Sequence, residues 1–98
     1  MVRGNTISAV GFYGPQGREL RLPLANPDLN PHIEEFRFNG HKITNYEMES
    51  DTLQGLARLM GHRAMTVCGI IANRMIHSAN PDYKKKMPLL IETVLERI

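Results

Sequence analysis

Residues 42–72 read KITNYEMESDTLQGLARLMGHRAMTVCGIIA, and this stretch carries the strongest secondary-structure signals of the chain. Its start, KITNYE, is rich in β-branched and aromatic residues and predicts a strand. From Met48 to Met60 apolar residues recur at intervals of three and four, which predicts an amphipathic helix that ends at Gly61. The segment Ala64–Ala72 is almost free of charge and predicts a strand covered on both faces of a mainly parallel sheet. Strand, helix and strand in succession predict a β-α-β crossover.

The flanking regions extend this pattern in both directions. Thr6–Val10 predicts a short strand, and the glycine- and proline-rich residues 11–18 (GFYGPQGR) that follow it predict a loop. A short helix is expected at Pro31–Arg37, a turn at Asn39-Gly40, and a second amphipathic helix from Met87 to the end of the chain. The fold class is therefore α/β. It is also incomplete, because a strand covered on both faces needs neighbours that this chain does not supply.

Composition limits the function classes. The chain has 98 residues, 42% of them hydrophobic and 22% charged, which suits one small globular domain. The net charge of +2 is spread along the sequence, so nucleic acid is not an expected partner. No apolar run approaches the roughly 20 residues of a membrane span, and the N-terminus is too polar for a signal peptide. With a single cysteine that excludes an internal disulfide, these features predict a cytoplasmic setting without a membrane partner.

Two loops follow predicted strands, where α/β proteins place their functional residues. In the first, an arginine and a glutamine stand two positions apart. Uracil presents an acceptor, a donor and an acceptor along O4, N3–H and O2. Arg18 donating to O4, with Gln16 paired to N3–H and O2, matches that edge, whereas cytosine leaves groups unpaired. The alternative is that both are solvated loop residues.

The second loop contains Glu47-Met48-Glu49 at a strand end. Glu49, at the start of the predicted helix, can accept hydrogen bonds from sugar hydroxyls, and its alternative role is compensation of the helix dipole. Met48 and Phe12 are core residues by default, although either can cover an apolar ring face. The four histidines show no metal-ligand spacing, so no metal site is predicted. They are His32, His41, His62 and His77.

The motifs at residues 11–18 (GFYGPQGR), 45–50 (NYEMES) and 69–74 (GIIANR) resemble three ordered motifs of the nucleoside phosphorylase superfamily, uridine phosphorylase branch. Purine enzymes of this superfamily commonly carry a catalytic aspartate where this chain has Asn73-Arg74, which favours the pyrimidine branch. The resemblance implies a nucleoside phosphorylase-type fold, with a mixed sheet flanked by helices. It also implies an enzyme of pyrimidine salvage, a pentosyltransferase that reversibly converts a pyrimidine nucleoside and phosphate to free base and (deoxy)ribose 1-phosphate.

The same resemblance implies roles for individual residues. Gln16 and Arg18 would bind the pyrimidine and stabilise the charge that grows on the leaving base, which makes them the catalytic pair. Glu49 would hold a ribose hydroxyl beside Glu47. The remaining contacts would come from apolar residues, with Phe12 near the base, Met48 against the sugar, and Ile70 and Ile71 lining the base pocket. Inorganic phosphate is the expected co-substrate, and no metal or organic cofactor is expected.

The chain also departs from the family pattern. The glycine-rich phosphate loop and the phosphate-holding arginines of the family are absent, so residues 1–98 are expected to be a C-terminal fragment of a single domain. Such a fragment would carry the base and ribose half of the site and be inactive alone, while the full-length protein would be a homo-oligomer. Asp51 stands where the family has a small residue, and a second carboxylate there is expected either to raise the pKa of Glu49 or to perturb helix packing. The alternative function is a non-catalytic nucleoside-binding or oligomerisation module.

Overall fold

A computed structural model describes all 98 residues, which form two compact units, Met1–Thr66 and Val67–Ile98. The first unit contains three strands and two α-helices, and the second contains two short strands and one α-helix. The elements of the first unit are β1 (Asn5–Ser8), a 3₁₀ turn (Gly14–Gln16), α1 (Leu29–Glu35), β2 (Arg37–Phe38), β3 (His41–Glu47) and α2 (Ser50–Leu59). Those of the second are β4 (Ala72–Asn73), β5 (Ser78–Ala79) and α3 (Tyr83–Leu95).

The sheet of the first unit is mixed and has the order β1-β3-β2. β1 lies parallel to β3, with Ser8 opposite Glu47, and β2 lies antiparallel to β3. The β2–β3 connection is the expected turn: Asn39 and Gly40 have φ values of 50° and 74°, and tight hairpins favour positive φ at these positions because it matches the strand twist. The predicted α/β class and mixed sheet are confirmed at this level.

Helix α2 forms where the apolar period predicts it, and its end has a local cause. The N–H of Gly61 donates to the carbonyl of Arg58, and the N–H of His62 donates to that of Ala57, over 3.2 and 2.7 Å. This pair of bonds is the Schellman arrangement, which needs a left-handed residue just beyond the helix. Gly61 supplies it with φ of 76°.

Two glycines give a matched test of this helix end. A Cβ added at Gly55 or at Gly61 meets nothing within 4 Å, so only the backbone separates the two sites. We expect Gly61→Ala to destabilise the fold by about 1–2 kcal/mol, because its φ is left-handed. Gly55→Ala, inside α2, should stabilise it by about 0.5–1 kcal/mol. Denaturant unfolding of both variants checks this, and equal stabilities would contradict it.

The prediction of a buried strand over Ala64–Ala72 is wrong. Residues 62–71 form no strand, and only Ala72 pairs, in the small β4–β5 hairpin. Ile70 and Ile71 are 55% and 49% exposed. An extended apolar segment becomes a strand only when neighbouring backbones accept its hydrogen bonds. The β-α-β crossover is corrected with it: β3 has β1, not the segment after α2, as its parallel partner.

Apolar residues form very little core. Ala9 is the only buried hydrophobic residue. On α2 the apolar face is largely exposed, with Leu53 at 52% and Leu56 at 55% exposure. In the second unit a Cβ on Gly69 would lie 3.6 Å from the side chains of Leu90 and Met87, so the chain there runs close to α3. No helix has the length and apolar character needed to cross a bilayer.

Candidate functional site

The two candidate loops, residues 11–18 and Glu47-Met48-Glu49, follow the carboxyl ends of neighbouring strands. β1 and β3 are parallel neighbours, so their carboxyl ends lie side by side. The pairing continues one residue further, where the N–H of Ala9 donates to the carbonyl of Glu47 over 2.9 Å. In α/β proteins this edge commonly holds the ligand. The topology therefore brings the start of residues 11–18 and the Glu47-Met48-Glu49 segment to one place.

The loop after β1 is held by its own backbone. The N–H groups of Gln16 and Arg18 both donate to the carbonyl of Tyr13, at 3.0 Å each. Between them Gly17 has φ of 69°, and its carbonyl accepts a hydrogen bond from the Asn30 side chain at 3.0 Å. A Cβ at Gly17 would lie 2.1 Å from the Asn30 Oδ1 and would displace that amide, while the positive φ itself favours glycine.

Gln16 and Arg18 are in direct contact. Nη1 of Arg18 donates to Oε1 of Gln16 over 2.6 Å and to the carbonyl of Phe12 over 2.5 Å. Gln16 is only 5% exposed, and Arg18 is half-buried. Because a guanidinium only donates, the amide oxygen of Gln16 must face it, which fixes the orientation of the amide. The pair therefore presents donors and an acceptor in a defined order.

Phe12 lies against this pair. Cζ of Arg18 lies 3.8 Å from the centroid of the Phe12 ring, and the ring meets Tyr13 edge to face at a centroid distance of 5.2 Å. The stacked guanidinium and ring are an attractive cation–π pair. Phe12 is still half-exposed, and its predicted contact with a base stays a prediction. Arg18 also lines an open groove with Leu20.

Glu47 has a role that the sequence did not reveal. Its carboxylate accepts hydrogen bonds from the backbone N–H of Glu49 at 2.8 Å, the N–H of Ser50 at 2.7 Å and the Ser50 hydroxyl at 2.5 Å. Burial raises the pKa of Glu47, but these three bonds outweigh that effect and lower the pKa to about 2. The available signal was a carboxylate three residues before a serine at a helix start.

Glu49 and Met48 are exposed. The N–H of Met48 donates to Oε2 of Glu49 over 3.2 Å. Asp51 faces other partners: the N–H of Thr52 and the hydroxyl of Ser8 donate to its Oδ1 over 2.6 and 3.0 Å, and both bonds lower its pKa.

The other predicted site residues lie in the second unit. Ile70 and Ile71 belong to its extended segment, and their place in a base pocket stays a prediction. No three His, Cys, Asp or Glu side chains are grouped so that they could hold a metal ion. The structure thus joins Phe12, Gln16 and Arg18 in one cluster, and it joins Glu47 to the start of α2.

Comparison with known proteins gives one informative match. A curated uridine phosphorylase from Thermococcus kodakarensis is 34% identical over 93 residues, which cover 89% of this chain and 31% of that protein. The chain is similar to a uridine phosphorylase. It spans about a third of the length of that relative. No protein-family profile matches the chain, and no solved structure does. The similarity supports a nucleoside phosphorylase-like relationship and the α/β fold.

Proposed function

We propose that this chain supplies the base- and ribose-binding half of a uridine phosphorylase-like active site. The observation that carries the proposal is the contact between Gln16 and Arg18 at 2.6 Å, on a loop beside the Glu47-Met48-Glu49 segment. The similarity to the Thermococcus kodakarensis protein over 89% of the chain supports the same proposal. The complete reaction would be reversible phosphorolysis of a pyrimidine nucleoside to free base and (deoxy)ribose 1-phosphate, as in pyrimidine salvage.

The Gln16–Arg18 pair suits both recognition and departure of a pyrimidine. Uracil offers acceptors at O4 and O2 and a donor at N3–H. Arg18 donates to O4, while the amide of Gln16 accepts from N3–H and donates to O2. When the C1′–N1 bond breaks, the base leaves with the bonding electron pair, and its negative charge spreads over both oxygens. Donors already in place stabilise that charge more than they stabilise the neutral substrate, so they lower the barrier.

The sugar would lie over the second loop. Glu49 is exposed there and its carboxylate accepts a backbone hydrogen bond from Met48 at one oxygen, so it can also take a ribose hydroxyl. Met48, 41% exposed, offers its thioether to the apolar face of the sugar. Phosphate would be held outside these residues, in the remaining part of a complete domain and its homo-oligomeric partner.

Calorimetry tests this half-site directly. We expect the chain to bind uridine at pH 7 without phosphate, and to release no uracil when phosphate is added. Binding should weaken in Glu49→Ala, whose sugar contact is lost, and persist in Glu92→Ala, which removes an exposed carboxylate on α3. If the chain binds no uridine under these conditions, the proposed function is wrong.

A second candidate is a non-catalytic oligomerisation module, and the exposed apolar surface favours it. Leu53, Leu56 and Met60 are all more than half exposed, which is unusual for a soluble monomer. Sedimentation velocity separates the candidates when it is run beside the calorimetry. Tight self-association without nucleoside affinity supports the module, whereas uridine affinity supports the half-site whatever the oligomeric state.

A further inference from the structure

The family resemblance assigns the whole Glu47-Met48-Glu49 segment to substrate binding, but the contacts of Glu47 point to a different role. We infer that Glu47 is a positioning residue that holds Glu49 at the sugar site, and that it does not itself touch the nucleoside. This inference rests on the proposed function and deepens it. Its basis is the geometry of one carboxylate at the junction between β3 and α2.

Both oxygens of Glu47 are directed at the start of the helix. Oε2 accepts the N–H groups of Glu49 and Ser50, and Oε1 accepts the Ser50 hydroxyl. The first N–H groups of a helix have no partner within it, so a carboxylate here satisfies donors that would otherwise need water. Ser50 is 7% exposed, which leaves little room for a ligand between it and Glu47. The carboxylate is occupied by the protein.

These bonds fix the residue that the proposed function needs. Because the N–H of Glu49 is itself one of the donors, the bond from Glu47 sets where the Glu49 backbone lies. The parallel neighbour strand fixes Glu47 in turn: Ser8 lies opposite it in the register, and the N–H of Ala9 donates to the Glu47 carbonyl over 2.9 Å. A chain of contacts therefore runs from β1 through Glu47 to Glu49. Small errors in such placement reduce the affinity of a polar contact strongly.

The groups that titrate near Glu47 are few. Asp51 on α2 interacts electrostatically with Glu47, and Glu49 is the next carboxylate along the chain. The neighbouring strand β1 contributes no charged group, only Ser8. The pKa of Glu47 is lowered to about 2, so the contribution of its ionised bonds to folding stability is complete above the pKa of an unfolded glutamate, about 4.3. This contribution is lost as the pH falls from there through about 2, where the folded-state carboxylate takes up its proton.

The first experiment tests the anchor in the wild-type chain and in Glu47→Gln. We expect the backbone amide protons of Glu49 and Ser50 to show a shift with a midpoint near pH 2 in the wild type, and this step to be absent in the variant. If the chain unfolds before the pH reaches about 2, the melting temperature is measured at each pH instead of the amide resonances. The melting temperature of the wild type should fall as the pH drops below about 4.3. The fall should be smaller in Glu47→Gln, and in the matched control Asp51→Asn it should lie between these two. A wild type and a Glu47→Gln variant with the same pH dependence would overturn the anchor.

The second experiment asks whether Glu47 acts through Glu49. Uridine affinity is measured at pH 7 for the wild type, Glu47→Gln, Glu49→Ala and the double variant. We expect Glu47→Gln to weaken binding about tenfold in the wild type and less than about twofold when Glu49 is already absent. Additive losses would show a direct contact and overturn the inference. A wild type that binds no uridine refutes the proposed function instead, and the pH experiment still decides whether Glu47 anchors the loop.

Discussion

Replacing Arg18 with alanine should weaken uridine binding by about 10- to 100-fold, the cost of a charge-assisted hydrogen bond to a buried acceptor. The variant loses the donor that we propose for O4, and it also releases the amide of Gln16, whose Oε1 is held by Arg18 at 2.6 Å. In an active phosphorylase that contains this segment, the rate for uridine should fall by about 10²-fold or more, because the same donor stabilises the leaving base. Calorimetry measures the first effect and single-turnover kinetics the second.

Two variants sharpen this prediction. Arg21 is an exposed arginine of the same region, so Arg21→Ala removes the same charge and should leave uridine affinity within about twofold. Arg18→Lys retains the charge but loses the planar group that stacks on Phe12, so we expect an intermediate loss. Equal affinities for the wild type and Arg18→Ala would remove Arg18 from the base site.

The second large effect is discrimination between uridine and cytidine. We expect the chain to prefer uridine by about 10²-fold or more. Cytosine turns a donor toward the guanidinium of Arg18 and an acceptor toward the amide oxygen of Gln16, so each contact is replaced by two like groups. Buried groups left unpaired cost about 1–3 kcal/mol each. Competition calorimetry with the two nucleosides at pH 7 measures the ratio.

The variant Gln16→Leu tests where this preference arises. Leucine has a similar size but neither donates nor accepts, so uridine should bind more weakly and the preference should shrink to about tenfold, the part due to Arg18. Thymine and uracil share the same polar edge, and the pair should therefore not separate them. A wild-type chain that binds uridine and cytidine equally would show that Gln16 and Arg18 do not read the base.

Local sequence chemistry explains which expectations hold. The turn at Asn39-Gly40 and the helix end at Gly61 both depend on residues that accept positive φ, and the structure has 50°, 74° and 76° at these three positions. The contact between Gln16 and Arg18 is local as well. The two residues stand two positions apart in a tight loop, and the backbone N–H groups of both donate to the carbonyl of Tyr13. Such features need no distant partner.

Contacts between residues far apart in the sequence explain the features that the sequence alone did not predict. The carboxylate of Glu47 was an ordinary member of a polar motif until β1 and β3 were seen side by side, with Ser8 opposite it. Its three bonds to the start of α2 reach only two or three residues along the chain, whereas the strand pairing that holds Glu47 itself comes from β1. The opposite error occurred at Ala64–Ala72, where an apolar composition predicted a strand although residues 62–71 form none.

The sequence by itself therefore determined α2 and its end, the hairpin turn, and the loop that joins Gln16 to Arg18, because periodicity and glycine placement act within a few residues. Only the tertiary structure decided that β1 is the parallel partner of β3, with Ser8 opposite Glu47. It also decided that the apolar side chains of α2 stay exposed. Strand pairing and burial depend on which surfaces meet, and a pattern of residues specifies the need for a partner without specifying the partner.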